Sequence, residues 1–341
     1  MNVNKKKINQ LFLNWLNFSL ILVFLIIIVG GLTRLTNSGL SITEWELFSG
    51  IIPPLNEKSW INYFNQYKLI PQYKLLNFNM SMEEFKIIFL WEYAHRILGR
   101  IIGLFFLIPL IFFYFSNKVD RHYLKTCYII FFLIVLQGII GWFMVLSGLV
   151  NDVTVSHYRL SVHLTTAILI LSIVFWLSKN VALSEKKNFF KFSFSNSPFQ
   201  ILIFLIFSQI ILGAFVSGLD AGRIYQTWPL MGNSYVPNDL IFNNFESFLS
   251  FADHSLVQFY HRNLAYLLVL YILILSIYIY KKKLYLLYPA LKILLLLTFI
   301  QVILGVFTLL SGLNIFLASA HQITSVLLVL SALNLYYFNV K

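Results

Sequence analysis

The residues best suited to chemistry lie in one short stretch, Trp91–Arg96, near the start of a long apolar run. Glu92, His95 and Arg96 place a carboxylate, an imidazole and a guanidinium within five positions of one another. Ionisable side chains inside an apolar run of membrane length are costly to bury, and they usually bind a ligand or take part in a reaction. This stretch is therefore the first candidate for a functional site.

Histidines recur in the same setting along the chain. Later apolar runs contain His163, His261 and His321, and an arginine follows His261 as one follows His95. Neutral imidazoles carried in pairs on helices are a usual way of holding haem iron from both faces. The expected pairs are His95 with His163 and His261 with His321, with haem iron as the metal in both.

Helix packing and zinc binding are less suitable roles for these histidines. A single histidine in a membrane helix more often makes a helix–helix hydrogen bond. Four histidines at matched depth in a duplicated chain do not fit that role. Zinc is disfavoured because no two of the four share a local ligand spacing and the only cysteine is Cys127. Cys127 itself is expected to be a small buried filler.

Arginines accompany the histidines. Arg96 and Arg262 directly follow theirs, and Arg159 lies four residues before His163. A guanidinium fork suits carboxylates such as haem propionates, so these three arginines are candidates for propionate binding. The alternative is snorkelling to lipid phosphate, which carries equal weight only for Arg100.

Glu92 is the only acidic residue well inside a predicted membrane span. It lies three residues before His95, hence on the same helix face, and the equivalent position in the second half is Gln258. A carboxyl group at that depth must be paired, hydrogen-bonded or neutral, and Arg96 is the nearest partner. Glu92 either transfers protons at a reacting site or forms an ion pair that steadies the helix. The first interpretation is favoured, because the second half does without the charge.

Composition defines the setting of these residues. Hydrophobic residues make up 59% of the 341 residues, charged residues 11%, and the mean hydropathy is +0.78. Such values are typical of a polytopic membrane protein. The net charge of +12 comes from short Lys and Arg clusters between apolar runs, which argues against nucleic-acid binding. The fold class predicted is an all-α polytopic membrane protein.

Eight apolar runs are long enough to cross about 30 Å of hydrocarbon as helices. The predicted spans are 12–33, 86–115, 124–148, 156–178, 199–219, 255–280, 289–312 and 316–338. Long polar connections occupy 34–85, which is expected to fold against the membrane surface, and 220–254. Spans two, four, six and eight each contain one of the paired histidines within about two to three turns of the entry point.

The charges predict the topology. Lys and Arg cluster in the connections on one side, whereas the connections around 149–155 and 313–317 contain none. Both termini are therefore expected in the cytoplasm, with the long loops and the histidine layer toward the outside. The basic N-terminus precedes an apolar run without a cleavage site, so a retained first span in a bacterial inner membrane is expected. His157 and His254 at the rim and His122 in a loop are expected at the solvated surface, although a peripheral role stays open for His254.

The sequence also repeats internally. A Gln-x-x-x-Gly motif followed by Ser-Gly-Leu occurs three times, at Gln137–Leu149, Gln209–Leu219 and Gln301–Leu313. The repeat predicts two pseudo-symmetric four-helix bundles, 1–180 and 181–341, related by an axis along the membrane normal. The Gln and Gly positions most simply indicate close helix packing. Glycines that leave a slot for a flat ring are compatible with such packing.

Several motifs, in this order, resemble those of the haem A synthase family over nearly the whole chain: Gly30–Ser41, Glu92–Arg96, Tyr158–His163, Gly218–Gly222 and Gln258–Arg262. The resemblance implies an oxidoreductase that converts a methyl group of haem O into the formyl group of haem A for terminal oxidases. It further implies that His95 and His163 flank the substrate haem in the first half. His261 and His321 would bind a haem b cofactor in the second half, and Glu92 would be the acidic residue of the reacting site. The likeness is to the branch shared by mitochondria and related bacteria, since the outer-loop cysteine pair of another branch is missing.

The partners implied are haem O as substrate, membrane lipid, haem O synthase and an electron donor, with no nucleic acid and with a homo-oligomer left open. A di-haem electron-transfer protein is the main alternative, but it leaves Glu92 and the difference between the halves unexplained. A haem transporter or chaperone fits the bundle but not two fixed ligand pairs.

Overall fold

The computed structural model describes residues 3–45, 49–150 and 153–340. In these ranges the chain is helical, with no β-strand beyond one isolated bridge between Met231 and Ser234. The helices are α1 (Val3–Leu35), α2 (Glu57–Tyr67), α3 (Pro71–Leu75), α4 (Met82–Ser116), α5 (Arg121–Val150), α6 (His157–Ala182), α7 (Ser197–Gly218), α8 (His254–Lys281), α9 (Tyr288–Leu310) and α10 (Ile315–Asn339).

All of these helices except α2 and α3 are long and apolar enough to cross a membrane. The eight predicted spans fall on them, so the predicted fold class is confirmed. The long helices also expose large apolar side chains such as Phe18, Leu104, Phe132, Phe204 and Leu296. In a membrane these side chains face lipid, while the helix satisfies its own backbone hydrogen bonds. The protein is therefore a multi-pass membrane protein.

The chain divides into two compact units, Met1–Ala182 and Leu183–Lys341. In the first unit, α1 packs against α4 and α6, and α5 packs against the same two helices. In the second unit, α7 packs against α8 and α10, and α9 packs against those two. Each unit is thus a ring of four helices in which every helix contacts the next. The symmetry axis that the repeat predicts stays a prediction.

The connection between α1 and α4 builds a small apolar cluster with the start of α4. Phe64 and Tyr67 of α2 pack on Phe85, and these three side chains are at most 6% exposed. Burial raises the pKa of Tyr67, whose hydroxyl donates to Gln72 at 2.9 Å. The long connection therefore folds around two short helices, and its position against the membrane surface stays a prediction.

Helix α4 begins about one turn earlier than the predicted span. Ser81 caps it, with a reciprocal pair of bonds between Ser81 and Glu84, and Phe85 and Phe89 pack on the α1–α4 connection. His95 therefore lies more than three turns from the start of its helix, beyond the two to three turns expected. His163, His261 and His321 lie about two turns from the starts of α6, α8 and α10.

The connection between α7 and α8 contains two short 3-10 helices, Ala221–Arg223 and Phe245–Leu249. Asp239 ties its parts together, since it accepts hydrogen bonds of 2.6 Å from the hydroxyls of Tyr225 and Ser255. The bond to Asp239 raises the pKa of Tyr225. Asp253 then caps α8 through the backbone N–H of Leu256.

Candidate functional site

The first histidine pair comes together in the first unit. The imidazoles of His95 on α4 and His163 on α6 have centroids 6.4 Å apart, with an interplanar angle of 68°. A metal–imidazole bond is about 2 Å long. The two rings are therefore separated by a distance that one metal atom bonded to both would span.

The second pair lies in the second unit. His261 on α8 and His321 on α10 each lie against a glycine of the helix before their own. Their helices both pack against α7 and α9, as α4 and α6 both pack against α1 and α5. The structure thus brings His95 and His163 together and places His261 and His321 at the corresponding positions of the second unit.

A glycine on the preceding membrane helix faces each of the four imidazoles. A Cβ atom added to any of these glycines would lie 2.9–3.1 Å from the Cε1 atom of the ring, closer than ordinary contact. The pairs are Gly30 with His95, Gly141 with His163, Gly213 with His261, and Gly305 with His321. The repeated glycines therefore leave space for flat rings, and those rings are the imidazoles.

A glutamine one turn before the glycine reaches three of the four histidines. The amide nitrogen of Gln137 donates to the backbone oxygen of His163 at 2.8 Å, and that of Gln209 to the backbone oxygen of His261 at 3.0 Å. Gln301 contacts the ring of His321 at 3.4 Å. At the corresponding position before Gly30 stands Ile26.

The buried polar atoms around the histidines fit a bound metal group. Within the described residues, Nδ1 of His95, His163 and His321 is buried without a hydrogen-bond partner, as is Oε1 of Gln137, Gln209 and Gln301. Such atoms are unusual inside a folded protein and require a physical reason. Paired neutral imidazoles with spare polar neighbours are the donor set that haem iron takes.

Glu92 is 3% exposed and both of its carboxylate oxygens are bonded. Oε1 accepts from Nη2 and Nε of Arg96 at 2.6 and 3.0 Å. Oε2 accepts from the hydroxyl of Ser41 at 2.7 Å and from the backbone N–H of Ile42 at 2.9 Å. The ion pair with Arg96 that the sequence suggested is therefore present, and it is joined to the segment that follows α1.

Arg96 also donates hydrogen bonds to the backbone carbonyl groups of the same segment. Its Nη2 donates to the backbone oxygen of Ile42 at 2.7 Å, and its Nη1 to that of Glu44 at 3.1 Å. Its guanidinium also lies 5.6 Å from the ring centroid of Trp45. The Glu92–Arg96 pair thus fixes the backbone of residues 41–44 beside the turn of α4 that contains His95.

The second unit repeats this arrangement without the charge on the first residue. Nε2 of Gln258 and Nη2 of Arg262 each donate to the backbone oxygen of Tyr225 at 2.9 Å. Nη1 of Arg262 donates to the backbone oxygens of Thr227 and Leu230 at 2.8 and 3.2 Å. In both units an arginine that follows a paired histidine therefore binds two carbonyls two residues apart, and Arg262 binds that of Leu230 as well.

Arg159, the third propionate candidate, is held differently. Its guanidinium carbon lies 3.8 Å from the ring centroid of Phe143, and Nη1 donates to the backbone oxygen of Phe143 at 2.7 Å. His122 and His254 are exposed and His157 is half-buried with its ring 4.1 Å from that of Tyr158, as expected for surface or rim positions. Cys127 is fully buried.

Sequence reasoning missed two of the three partners of Glu92. Ser41 and Ile42 lie about fifty positions earlier in the chain and contribute a hydroxyl and a backbone N–H. The sequence contains one signal for them, since Ser41 closes the Gly30–Ser41 motif, a polar stretch beside the first span. It also missed Gly30 as a contact of His95, because no glutamine precedes that glycine by one turn.

The fold and the site define a class: a multi-pass helical membrane protein with two pairs of half-buried histidines, each pair suited to a haem iron. The sequence matches the family described as cytochrome oxidase assembly protein over residues 13–333. The chain belongs to this family.

Three similar proteins carry one name. The chain is 47% identical over 328 residues to heme A synthase of Pelagibacter ubique, covering 95% of each chain. It is 45% identical over 261 residues to heme A synthase of Parvibaculum lavamentivorans, covering 75% of this chain and 74% of the relative. It is 40% identical over 340 residues to heme A synthase of Rickettsia africae, covering 97% of this chain and 98% of the relative.

Proposed function

We propose that this protein is a haem A synthase, an oxidoreductase that converts a methyl group of haem O into the formyl group of haem A. The observation that carries the proposal is the pair of imidazoles, His95 and His163, 6.4 Å apart and next to the buried carboxylate of Glu92. The second unit repeats the imidazoles with the uncharged Gln258 in place of the acid. Only one of two otherwise similar sites thus has an acidic group beside the ligands.

Each unit is assigned one haem. His95 and His163 hold the iron of the substrate, haem O, and His261 and His321 hold a resident haem b. The resident haem supplies one-electron redox chemistry when bound. This chain contributes the neutral imidazoles, the glycine slots that admit them, and an apolar setting that excludes water from the site.

The reaction replaces two C–H bonds of a methyl group by C–O bonds in two successive hydroxylations. Each hydroxylation would take one oxygen atom from dioxygen, and the second oxygen atom would leave as water with two electrons from the external donor and two protons. The resulting dihydroxy carbon loses one water molecule to leave the formyl group. That last step requires one hydroxyl to gain a proton as it leaves and the other to release one. Glu92 is proposed to transfer these protons, a role for which carboxyl groups are suited when they are held near the reacting atoms. In the structure Arg96, Ser41 and Ile42 hold its carboxylate in place.

The three arginines remain candidates for the haem propionates. Arg96 and Arg262 use several of their N–H groups on loop carbonyls, so a propionate would share them with the backbone. Arg159 lies over an aromatic ring and makes a bond to one carbonyl through Nη1. Its geometry favours it as the first arginine to test.

The setting of the reaction is proposed from the charge pattern. The termini face the cytoplasm of a bacterial cell, the membrane is the inner one, and both haem sites lie toward its outer side. Haem O synthase would deliver the substrate, and a separate electron donor would supply reducing equivalents. A homo-oligomer is compatible with this arrangement.

A di-haem electron-transfer protein is the second candidate. It is favoured by the similarity of the two sites and by the four hydrogen bonds that already occupy Glu92. Co-expression with a haem O synthase in a bacterium that makes no haem A separates the two candidates. The haem A synthase should produce a formyl haem, recognised by the absorbance of the extracted pigment. Unchanged haem O, with the protein present at its usual level, would favour the electron carrier.

A further inference from the structure

The residue one turn before each glycine that faces an imidazole distinguishes the two histidine pairs. In the second unit Gln209 and Gln301 occupy this position, before Gly213 and Gly305. In the first unit the position holds Gln137 on α5 but Ile26 on α1. The repeat is therefore incomplete at one of its four places, and that place faces His95.

The glutamines also differ in what they touch. The amide nitrogen of Gln209 lies 3.1 Å from Nδ1 and 3.3 Å from Nε2 of His261, and that of Gln301 lies 3.4 Å from Nε2 of His321. Gln137 bonds to the backbone oxygen of His163 at 2.8 Å, as Gln209 also does to that of His261 at 3.0 Å, but Gln137 has no bond to the ring. Among the described residues, no hydrogen bond reaches Nδ1 of His95, His163 or His321.

Ile26 has no polar atom to offer to His95. Its side chain instead packs near Gly99, where an added Cβ would lie 3.6 Å from Cδ1 of Ile26. Gly99 lies one turn after His95 on α4, so Ile26 covers the helix surface next to the imidazole with methyl groups. The first unit thus has two rings without a side-chain hydrogen bond, and the second unit has two rings in contact with an amide.

An amide in this position can hold an iron-bound imidazole. A histidine that binds iron through one ring nitrogen carries its proton on the other, and that N–H is normally bonded to an acceptor. Each glutamine has an oxygen as well as a nitrogen, and the buried Oε1 atoms of Gln209 and Gln301 lack a partner among the described residues. A half-turn of the Gln301 amide presents this oxygen to the ring of His321. The same turn at Gln209 exchanges the bond from its Nε2 to the backbone oxygen of His261 for a bond to the ring.

We propose that Gln209 and Gln301 fix the imidazoles of His261 and His321 so that the second unit retains its haem, and that Ile26 and Gln137 leave the first-unit rings free to release one. This inference rests on the proposed function, which assigns the resident haem to the second unit and the exchanging substrate to the first. Acceptors of this kind change metal affinity by about 10–100-fold. Gln209 and Gln301 are positioning residues that act through the histidines.

The test measures how fast the protein loses its resident haem. Protein is purified from cells that make haem b but no haem O, and haem transfer to an excess of an apo-globin is followed by absorbance. Gln209→Leu and Gln301→Leu should lose haem about 10–100-fold faster than the unchanged protein. Gln200→Leu is the matched control, because Gln200 lies on the same helix as Gln209 but bonds to the hydroxyl of Tyr336 at 2.8 Å. Its rate of haem loss should not change.

The reduction potential of the same haem separates positioning from packing. Gln209→Leu removes the acceptor and should raise the potential, whereas Gln209→Glu supplies a stronger acceptor and should lower it, because electron density on the imidazole stabilises ferric iron. A residue that only fills space would not shift the potential in opposite directions. Ile26→Gln adds the missing amide and should slow the loss of haem O from the first unit.

Failure of the glutamine proposal and failure of the haem assignment give different results. If haem absorbance depends on His261 and His321 but Gln209→Leu, Gln209→Glu and Gln301→Leu leave both rate and potential unchanged, the glutamine proposal is overturned while the assignment of the sites stands. If the purified protein keeps its haem spectrum in His261→Ala and His321→Ala, the assignment of the resident haem in the proposed function fails.

Discussion

The hydroxyl of Ser41 and the carboxylate of Glu92 are joined by a 2.7 Å hydrogen bond that links the segment after α1 to the first histidine helix. With the bonds from Arg96, this contact shows that Glu92 fixes a loop as well as placing an acid beside His95. The second unit has Gln258 in the same structural position, with its amide bonded to a loop carbonyl. A glutamine is therefore compatible with fixing the loop, and the difference between the units is the acidic group.

The substitution Glu92→Gln tests whether the reaction needs this acidic group. Glutamine has nearly the same shape, and Gln258 beside Arg262 shows that a loop is held without the negative charge, so protein level and bound haem should be kept. Conversion of haem O should fall by about 10²–10⁴-fold, the usual contribution of a general acid or base, and haem O or a hydroxylated intermediate should accumulate. Extraction and chromatography of the haems measure this.

Ser41→Ala is the matched control for Glu92→Gln. It removes one hydrogen bond to the same carboxylate and leaves the acid, so its effect should be on stability, by about 1–3 kcal/mol. Normal haem A output from Glu92→Gln at unchanged protein level would remove Glu92 from the chemistry. Equal losses of haem O conversion in the two variants would show that Ser41 and Glu92 both act by holding the loop.

The resident haem should depend on both second-unit histidines. In protein made without haem O, His321→Ala should lose most of the low-spin haem absorbance, since one imidazole cannot supply both axial bonds. His254→Ala, an exposed position on α8, should keep the spectrum. Full retention of low-spin absorbance in His321→Ala would mean that the pairing with His261 is wrong.

The glycine slots predict a difference between two glycines on one helix. A Cβ at Gly141 would lie 3.0 Å from Cε1 of His163, whereas a Cβ at Gly138 meets nothing within 4 Å. Gly141→Ala should displace the imidazole and reduce haem O binding, and Gly138→Ala should leave it unchanged or stabilise α5 by about 0.5–1 kcal/mol. Binding titrations of haem O with the two purified variants compare them. Similar affinities would show that the slot does not constrain the ring.

The membrane spans and the histidine pairs could be predicted from the sequence. Long apolar runs have few ways to satisfy their backbone other than as helices, so the spans are defined by the sequence apart from their ends. The predicted start of α4 is too late because the Ser81 cap and the packing of Phe85 extend the helix beyond its apolar run. Local capping and tertiary packing both contribute to where that helix begins.

The partners of the arginines could not be predicted. Arg96 and Arg262 bind backbone carbonyls of Ile42 and Tyr225, and any residue type supplies a carbonyl. Which one lies within reach depends on how each loop folds back, a property of tertiary packing. The glycine–histidine contacts could be predicted only in part, because spacing along one helix does not say which residue of a neighbouring helix it faces.

Arg262 should therefore control the order of the second loop. Lysine keeps the positive charge but cannot reach the carbonyls of Tyr225, Thr227 and Leu230 together, as the guanidinium does. Limited proteolysis should cleave the Arg262→Lys variant within residues 224–234 faster than it cleaves the unchanged protein. Arg223→Lys, at an exposed position of the same loop, should be cut like the unchanged protein. Equal cutting of both variants would show that the guanidinium does not hold the loop.

The topology can be tested with reporter fusions. Fusions at Lys118, Lys187 and Lys282 should report the cytoplasm, because basic residues in short loops are retained there. Fusions at Asn56 and Asn233, in the two long connections, should report the outer side. A cytoplasmic signal from Asn233 would contradict the arrangement in which both haem sites lie toward the outside.

The proposed activity is tested most directly by the mass of the haem extracted from membranes that contain this chain and are supplied with haem O. A haem A synthase should yield haem A, in which the formyl oxygen replaces two hydrogens of the methyl group, together with a smaller amount of a species that has gained one oxygen. Recovery of haem b and unmodified haem O alone, from membranes in which the protein is folded and has both haems bound, would contradict the proposed activity.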